Sequence, residues 1–452
     1  MDIPRGSEIL SDIRNDKNIR AMRSLWPQLT SRKNFDIPRN IDDYKKIASI
    51  SKAHLNINGE EWYFNDKNQP KLRELVNNLY QISEISNMVS YNSVWKNVEV
   101  AIRDTITSDK EEKLISFQQR LELIINSIFS EVRSYEFYWA IEGIDLIDIN
   151  EFAIGDLIFF NFNNEYYKKF KAEPDINDFY RISVVPFLDK NFANKVVVKC
   201  MALGDKDHAE GLAREKVEES LNYIRFMFCY INSEYVYDNK WKVYYDIKTT
   251  QESGCFLRRN PENNSTYLAY SPSKKIRNNF PISKKTIDTW GECYFLDSLG
   301  EIMKCNSRME WEEAILTSIH WIGEAQHEWA ADVALWKYWT AIESLIPPNK
   351  DEVTQSVLKG TAVLIVYTGY RFVSVTEFWS TYKRVKDLYD KRSRITHSGL
   401  SRQVMPDELR DVCQYASWLI LAAVGLHSQG YRKFEQVQEQ IDRLYGRKRS
   451  KR

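Results

Sequence analysis

Little in this chain would interrupt regular structure. Its 452 residues include only 16 glycines and 12 prolines, below the average usage of about 7% and 5%. Collagen-like, linker-rich and disordered readings fail on that ground, and a compact, mostly helical chain is expected. Net charge is absent too, because 63 Lys and Arg face 63 Asp and Glu. A polybasic or histone-like protein is excluded, so any nucleic-acid contact must use a local patch. The longest apolar stretch, Trp418 to Leu426, falls far short of the ~18–20 residues that span a bilayer. The opening residues, Met1 to Ser7, hold no apolar signal core. The six cysteines have no C-x-x-C pairing, so they read as free thiols in a reducing compartment and not as a zinc site. A cytoplasmic protein without membrane contact is expected. Repeats, low-complexity tracts and Gly-rich phosphate loops are missing as well, so nothing supports a solenoid or NTP hydrolysis.

What is present is 43% apolar and 13% aromatic, enough for two or three domains of about 100–200 residues each. The fold class read from the pattern is α+β, a mixed α/β N-terminal region followed by an all-α bundle. Residues 1–305 form the first part, with a possible division near 110. The first ~110 residues read as short elements around Trp62, Tyr63 and Trp95. Lys110 to Tyr138 reads as helix, while Glu151–Phe162, Lys195–Met201 and Lys240–Ile247 read as strands. Ala209, Ala213, Val217, Leu221, Ile224 and Phe228 recur at three and four, marking one stripe of a long helix over Asp207–Tyr230. Asn260–Ser283 reads as loop. From about 306 to 446 the pattern is helical: Trp311–Ile346 as one or two helices stopped by Pro347-Pro348, then Val353–Tyr367, Thr376–His397, Pro406–His427 and Arg432–Tyr445. Residues 447–452 read as a basic tail, solvated or adding phosphate affinity.

The helix over Thr376–His397 carries the chemistry. Its apolar stripe runs Phe378, Val385, Leu388, Ile395, and Arg392 lies on the same register. A guanidinium on a core-facing stripe is costly unless it is paired or lines a cavity. His397 follows five residues later, about 140° around the helix, so the two converge only where the helix ends or where a second chain completes the site. A helix C-terminus also favours a protonated imidazole. Between Lys383 and Arg402 there are seven basic residues (Lys383, Arg384, Lys386, Lys391, Arg392, Arg394, Arg402) and two acidic ones (Asp387, Asp390). On a neutral protein that reads as a local anion-binding patch.

Arg392-Ser393-Arg394-Ile395-Thr396-His397 fits the R-x4–6-H signature of HEPN domains. The wider string from Leu388 to Gly399, with Trp339-Thr340-Ala341-Ile342-Glu343-Ser344-Leu345 upstream, resembles the ApeA-like HEPN branch over about 309–446. Many active members carry Asn, Asp or His directly after the arginine, where this chain has Ser393. The resemblance implies a metal-independent endoribonuclease without a cofactor, working as a homodimer with Arg and His from both chains in one site. The 2′-OH of RNA would attack the adjacent phosphorus. The Arg392 fork would hold the non-bridging oxygens, and His397 would move the protons, since an imidazole ordinarily titrates near ~6.5. Products would be a 2′,3′-cyclic phosphate and a 5′-OH. The branch further implies bacterial anti-phage defence by growth arrest, with tRNA, mRNA or rRNA as substrate. Residues 1–305 would then be a sensor or restraint answering a phage-derived trigger. The alternative is a HEPN scaffold that binds RNA or a protein partner without cutting.

Glu343 either orients and neutralises Arg392 or forms a plain structural ion pair with it. Lys391 and Arg394 are solvated or touch RNA phosphates, and Trp339 is expected in the core. His320, Glu324 and His327 share one helical face, but no Cys or Asp cluster supports a metal there. The E-x-K within Asp109-Lys110-Glu111-Glu112-Lys113 reads as the charged first turn of a helix rather than a nuclease core.

Overall fold

The structure, a computed structural model, describes residues 9, 17–50, 53–108, 115–163, 192–231, 244–245, 255–259, 266–270, 279–292, 295–305, 307–328, 330–347, 353–368, 372–398 and 404–449. The chain is mixed α/β, with small sheets in its N-terminal part and a helical C-terminal part. It divides into two compact units: residues 1–137 with 201–214, and residues 138–200 with 215–452.

The first unit holds α1 (Lys17–Leu29), β1 (Phe35–Asp36), α2 (Ile41–Ile50), β2 (His54–Ile57), β3 (Glu60–Phe64), α3 (Gln69–Tyr80), α4 (Ser83–Ser86), α5 (Tyr91–Thr107) and α6 (Phe117–Ser130). Its antiparallel sheet has the order β1-β3-β2. The β2–β3 turn is Asn58-Gly59, both with positive φ (53° and 86°), a pairing that matches the twist of the flanking strands. Met22, Leu29, Phe64, Leu72, Val76, Val98, Ile102 and Ile125 fill one core. Trp62 and Tyr63 are buried as expected, and Trp95 is partly buried against the same core. Asp205 caps the helix that follows it and anchors Ser90, the N-cap of α5. One carboxylate oxygen accepts the Ser90 amide (2.8 Å) and hydroxyl (2.9 Å), and the other accepts the His208 amide (2.8 Å). Gly204 beside it has no room for a side chain, since a Cβ would lie 2.9 Å from the Met88 carbonyl.

Only part of the helix expected over Lys110–Tyr138 forms. After α6 the chain turns extended as β4 (Arg133–Glu142), because Tyr135, Phe137, Tyr138 and Trp139 favour a pleated surface over a helix. The E-x-K segment lies outside the described residues. β5 (Ile144–Ile147), β6 (Glu151–Ile154), β7 (Leu157–Asn161) and β8 (Val196–Gly204) follow, then α7 (Lys206–Ile231) and β9 (Tyr244–Tyr245). Five strands make one sheet in the order β6-β7-β8-β4-β9. The stretch expected as one strand over Glu151–Phe162 is a hairpin, turned at Gly155 with φ +57°. The expected Asn260–Ser283 loop also contains strands. β10 (Cys255–Arg259) pairs antiparallel with β11 (Thr266–Tyr270), and β12 (Phe280–Ser283) runs parallel to β5. Partners distant in sequence supply these ladders, and local composition does not report them.

The helical part runs α8 (Lys284–Glu292), α9 (Phe295–Lys304), α10 (Glu310–His327), α11 (Ala331–Ser344), α12 (Val353–Tyr367), α13 (Phe378–Ser398), α14 (Pro406–Ser428) and α15 (Phe434–Arg449). α14 is the central helix. Leu419, Ile420, Leu421 and Ala423 are all fully buried, and α9, α10, α11 and α12 pack on it. α15 continues to Arg449, through half of the segment read as a tail, because Arg and Lys propagate a helix well. Residue 305 falls inside the second unit, since α7 is tied to the bundle. Arg308 pairs with Glu219 at 3.1 Å, Asn222 meets His320 at 3.3 Å, and Gln326 donates to the Arg225 carbonyl at 2.7 Å. Arg225 itself is 1% exposed and bonds Glu218 and Asn222. Among the described residues no helix is long and apolar enough to cross a membrane. Cys200, Cys305 and Cys413 are free thiols.

Candidate active site

α13 is entered through a 3-10 turn, Val375–Glu377, closed by a capping box between Ser374 and Glu377, which satisfies the amides that a helix start leaves open. Phe378, Thr381, Val385, Leu388 and Tyr389 are buried against α11, α12 and α14. Beyond Tyr389 the helix emerges from the core, and no side chain described from Asp390 to Thr396 is buried. Ile395, expected on the buried stripe, is half-buried there because the bundle no longer covers the last turns.

Arg392 sits where the helix leaves the core. Its Nη2 donates to Glu343 Oε2 of α11 at 2.9 Å, and its guanidinium lies over the Tyr389 ring at 5.7 Å. Tyr389 in turn packs edge-on against Trp339, with centroids 5.2 Å apart. Trp339 is fully buried, so it belongs to the core as the sequence suggests. The pair itself is only partly shielded, with the Arg392 side chain 18% exposed and that of Glu343 26%. Burial pushes the Glu343 carboxyl above the usual range, and Arg392 only partly offsets this. Among the described residues the buried Arg392 Nε has no partner, and neither has the Trp339 indole N–H. Where α11 meets α13, two donors thus lack acceptors among the described residues, and Glu343 is a carboxylate bonded there. A buried donor left open favours an incoming acceptor.

Position 397 lies in the final turn of α13, and its side chain is outside the described residues. Ser393 is half-exposed. Lys391 is not solvated. It bonds Glu408 of α14, and its side chain is only 13% exposed. Arg394 is exposed, with its Nε donating to the Asp390 carbonyl at 3.2 Å. Arg384 is held by Asp407 (2.9 Å) and Asp411 (2.7 Å). These contacts raise its pKa against the opposing effect of burial.

The basic patch expected over 383–402 is therefore largely compensated. Arg384, Lys391 and Arg392 meet carboxylates from other helices, while Lys383, Lys386 and Arg394 face outward. Arg402 is outside the described residues. The counter-ions Asp407, Glu408 and Asp411 escape sequence reading. Pro406-Asp407-Glu408 already looks complete as a helix start, with acids that suit the dipole, and no spacing rule brings it opposite α13.

His320 and Glu324 point to ordinary partners, Asn222 and Lys337 (3.6 Å) respectively. The His327 side chain is not described. Among the described residues no three His, Cys, Asp or Glu side chains gather as a metal-binding group. No family model, curated protein or solved structure matches this chain.

Proposed function

We propose that the chain is a metal-independent endoribonuclease of the ApeA-like HEPN type, with Arg392 and His397 as its catalytic residues. The observation that carries this reading is the state of Arg392. The guanidinium stands at the exit of α13 from the core, paired to Glu343, with an Nε that has no partner among the described residues and with part of its surface open. A phosphate oxygen is the acceptor such a fork suits best. The 2′-OH attacks phosphorus and the 5′-oxygen leaves. Arg392 stabilises the charge that builds on the non-bridging oxygens. His397, or its counterpart in a second copy, takes the 2′ proton or protonates the leaving oxygen. Glu343 fixes the guanidinium plane, while Lys391, being bound to Glu408, shapes the site instead of touching RNA. The products are a 2′,3′-cyclic phosphate and a 5′-OH. The wider proposal is a cytoplasmic homodimer that cuts tRNA, mRNA or rRNA to arrest growth on phage infection, restrained by the N-terminal region until a phage-derived trigger arrives.

The second reading is a HEPN scaffold that binds without cutting. Ser393 and the compensated cations Arg384 and Lys391 favour it. Sequencing RNA ends from cells expressing the wild type and His397→Ala separates the two readings. New 2′,3′-cyclic phosphate ends that vanish in the variant support the enzyme, and identical ends with an intact cellular effect support the scaffold.

A further inference from the structure

We propose that the outer face of α13 is a track for single-stranded RNA, with Trp379 as its base-stacking platform. This deepens the ribonuclease reading and rests on it. Trp379 is 49% exposed, and Val375 one turn earlier is 55% exposed. Trp379 is braced edge-on by Phe378 and Tyr382, with ring centroids 5.3 and 5.9 Å away, which holds the half-exposed indole in a fixed orientation. Lys383 and Lys386 follow at i+4 and i+7, so all three share one helical face. Both lysines are exposed, and neither forms an ion pair among the described residues. The cations of α13 thus divide by direction. Arg384 and Lys391 turn toward α14 and are neutralised there, while Lys383 and Lys386 keep their charge beside the indole.

An aromatic face flanked by unpaired lysines is the arrangement that binds unstacked bases and their phosphates. Duplex RNA hides its base faces, so the track selects single strands. Arg392 lies about 20 Å further along the axis and about 140° around it from Trp379. A strand on the outer face therefore reaches the guanidinium by turning over the last turns of α13, where no described side chain from Asp390 to Thr396 is buried. That path takes at least about four nucleotides, the small end of single-strand sites. Asp387 and Asp390 interrupt the positive face further along, so stacking and not net charge supplies most of the grip. A protein occupant fits less well. Among the described residues the large apolar side chains exposed on this face are Trp379 and Val375, whereas a stable interface buries at least ~1,000 Å².

The test uses full-length protein with a fluorescein-labelled twelve-residue oligouridylate for cleavage, and its 2′-O-methyl analogue for binding by anisotropy. Trp379→Ala should weaken binding and raise KM about tenfold with kcat little changed, and Trp379→Phe should restore most of the loss. Lys383→Gln with Lys386→Gln should flatten the dependence of log affinity on log salt by about 1.4, that is ~0.7 per phosphate contact. Oligonucleotides of two or three residues should not respond to Trp379→Ala. The proposal is overturned if Trp379→Ala binds and cuts like wild type, or if its defect tracks a change in oligomeric mass, which would make the patch a protein interface. Binding without cleavage by the wild type would retain the track and sink the ribonuclease reading. Cleavage indifferent to Trp379 would do the reverse.

Discussion

Replacing Arg392 separates its proposed role in cleavage from its part in folding. On the proposed ribonuclease reading the fork would stabilise charge on the phosphoryl oxygens in the transition state, which is typically worth about 3–4 kcal/mol, or roughly a hundred- to a thousandfold in rate. Its folding contribution is smaller. The pair with Glu343 joins side chains 18% and 26% exposed, so its strength stays near the ~1 kcal/mol expected of accessible ion pairs. The contact with Tyr389 adds about 0.5–1 kcal/mol. Arg392→Ala should therefore lose at least a hundredfold in single-turnover cleavage and about 1–2 kcal/mol in stability. Arg392→Lys keeps a charge for Glu343 and should melt close to wild type, yet lose most of the rate, since an ammonium cannot hold a phosphate by two parallel bonds. The stability loss in Arg392→Ala carries a pH signature. Burial already raises the Glu343 carboxyl, and deleting Arg392 removes the influence that lowers it. A raised folded-state pKa gives stability that is present below the unfolded value and lost as pH rises through the folded one. The alanine variant should thus lag wild type more at pH 8 than at pH 5. Cleavage of a fluorescent oligoribonucleotide and thermal melts at both pH values read the two effects apart. Wild-type cleavage by Arg392→Lys, or a rate loss in Arg392→Ala that merely follows its unfolded fraction, would refute the assignment.

His397→Ala should lower cleavage by two to four orders of magnitude with an unchanged melt. A single 2′-deoxy group just 5′ of the scissile phosphate should stop cutting there while RNA stays bound. Excess EDTA should leave the reaction intact, and His320→Ala should cut at the normal rate; rescue by Mg²⁺ after EDTA would move the chemistry elsewhere. At the other end of the bundle, burial pushes the Glu312 carboxyl up, but the Met309 amide, His427 (2.9 Å) and Arg432 (3.5 Å) outweigh it and hold it below the usual range. Its stabilisation is therefore present above the ordinary carboxylate pKa and lost as pH falls through the depressed value. Glu312→Gln should cost about 2–4 kcal/mol at pH 7 in urea melts, with the gap to wild type closing toward pH 3; a constant gap contradicts this reading. Gly323→Ala should cost about 1–3 kcal/mol. Its Cβ would lie 2.0 Å from Asn222 Oδ1, the atom that accepts from Arg225, and an unshifted melting temperature would show that the contact yields freely.

Sequence periodicity alone located α7 and the helices α10 to α15 to within a few residues, because a 3.6-residue stripe and its Pro or capping signals are local properties. It also put Arg392 on the inward register of α13, and from the cost of burying a guanidinium it required a partner. That partner is Glu343. Periodicity failed at β4 and in the Asn260–Ser283 stretch, where strands form on ladder partners that local composition does not reveal. Tertiary structure alone decided which cations of α13 remain available. Lys391 and Lys386 look alike in sequence, but α14 brings Glu408 to Lys391, while Lys386 forms no ion pair among the described residues. Charge compensation acts over a few ångströms of space, and the order of residues along a chain does not fix which helices will meet at that distance.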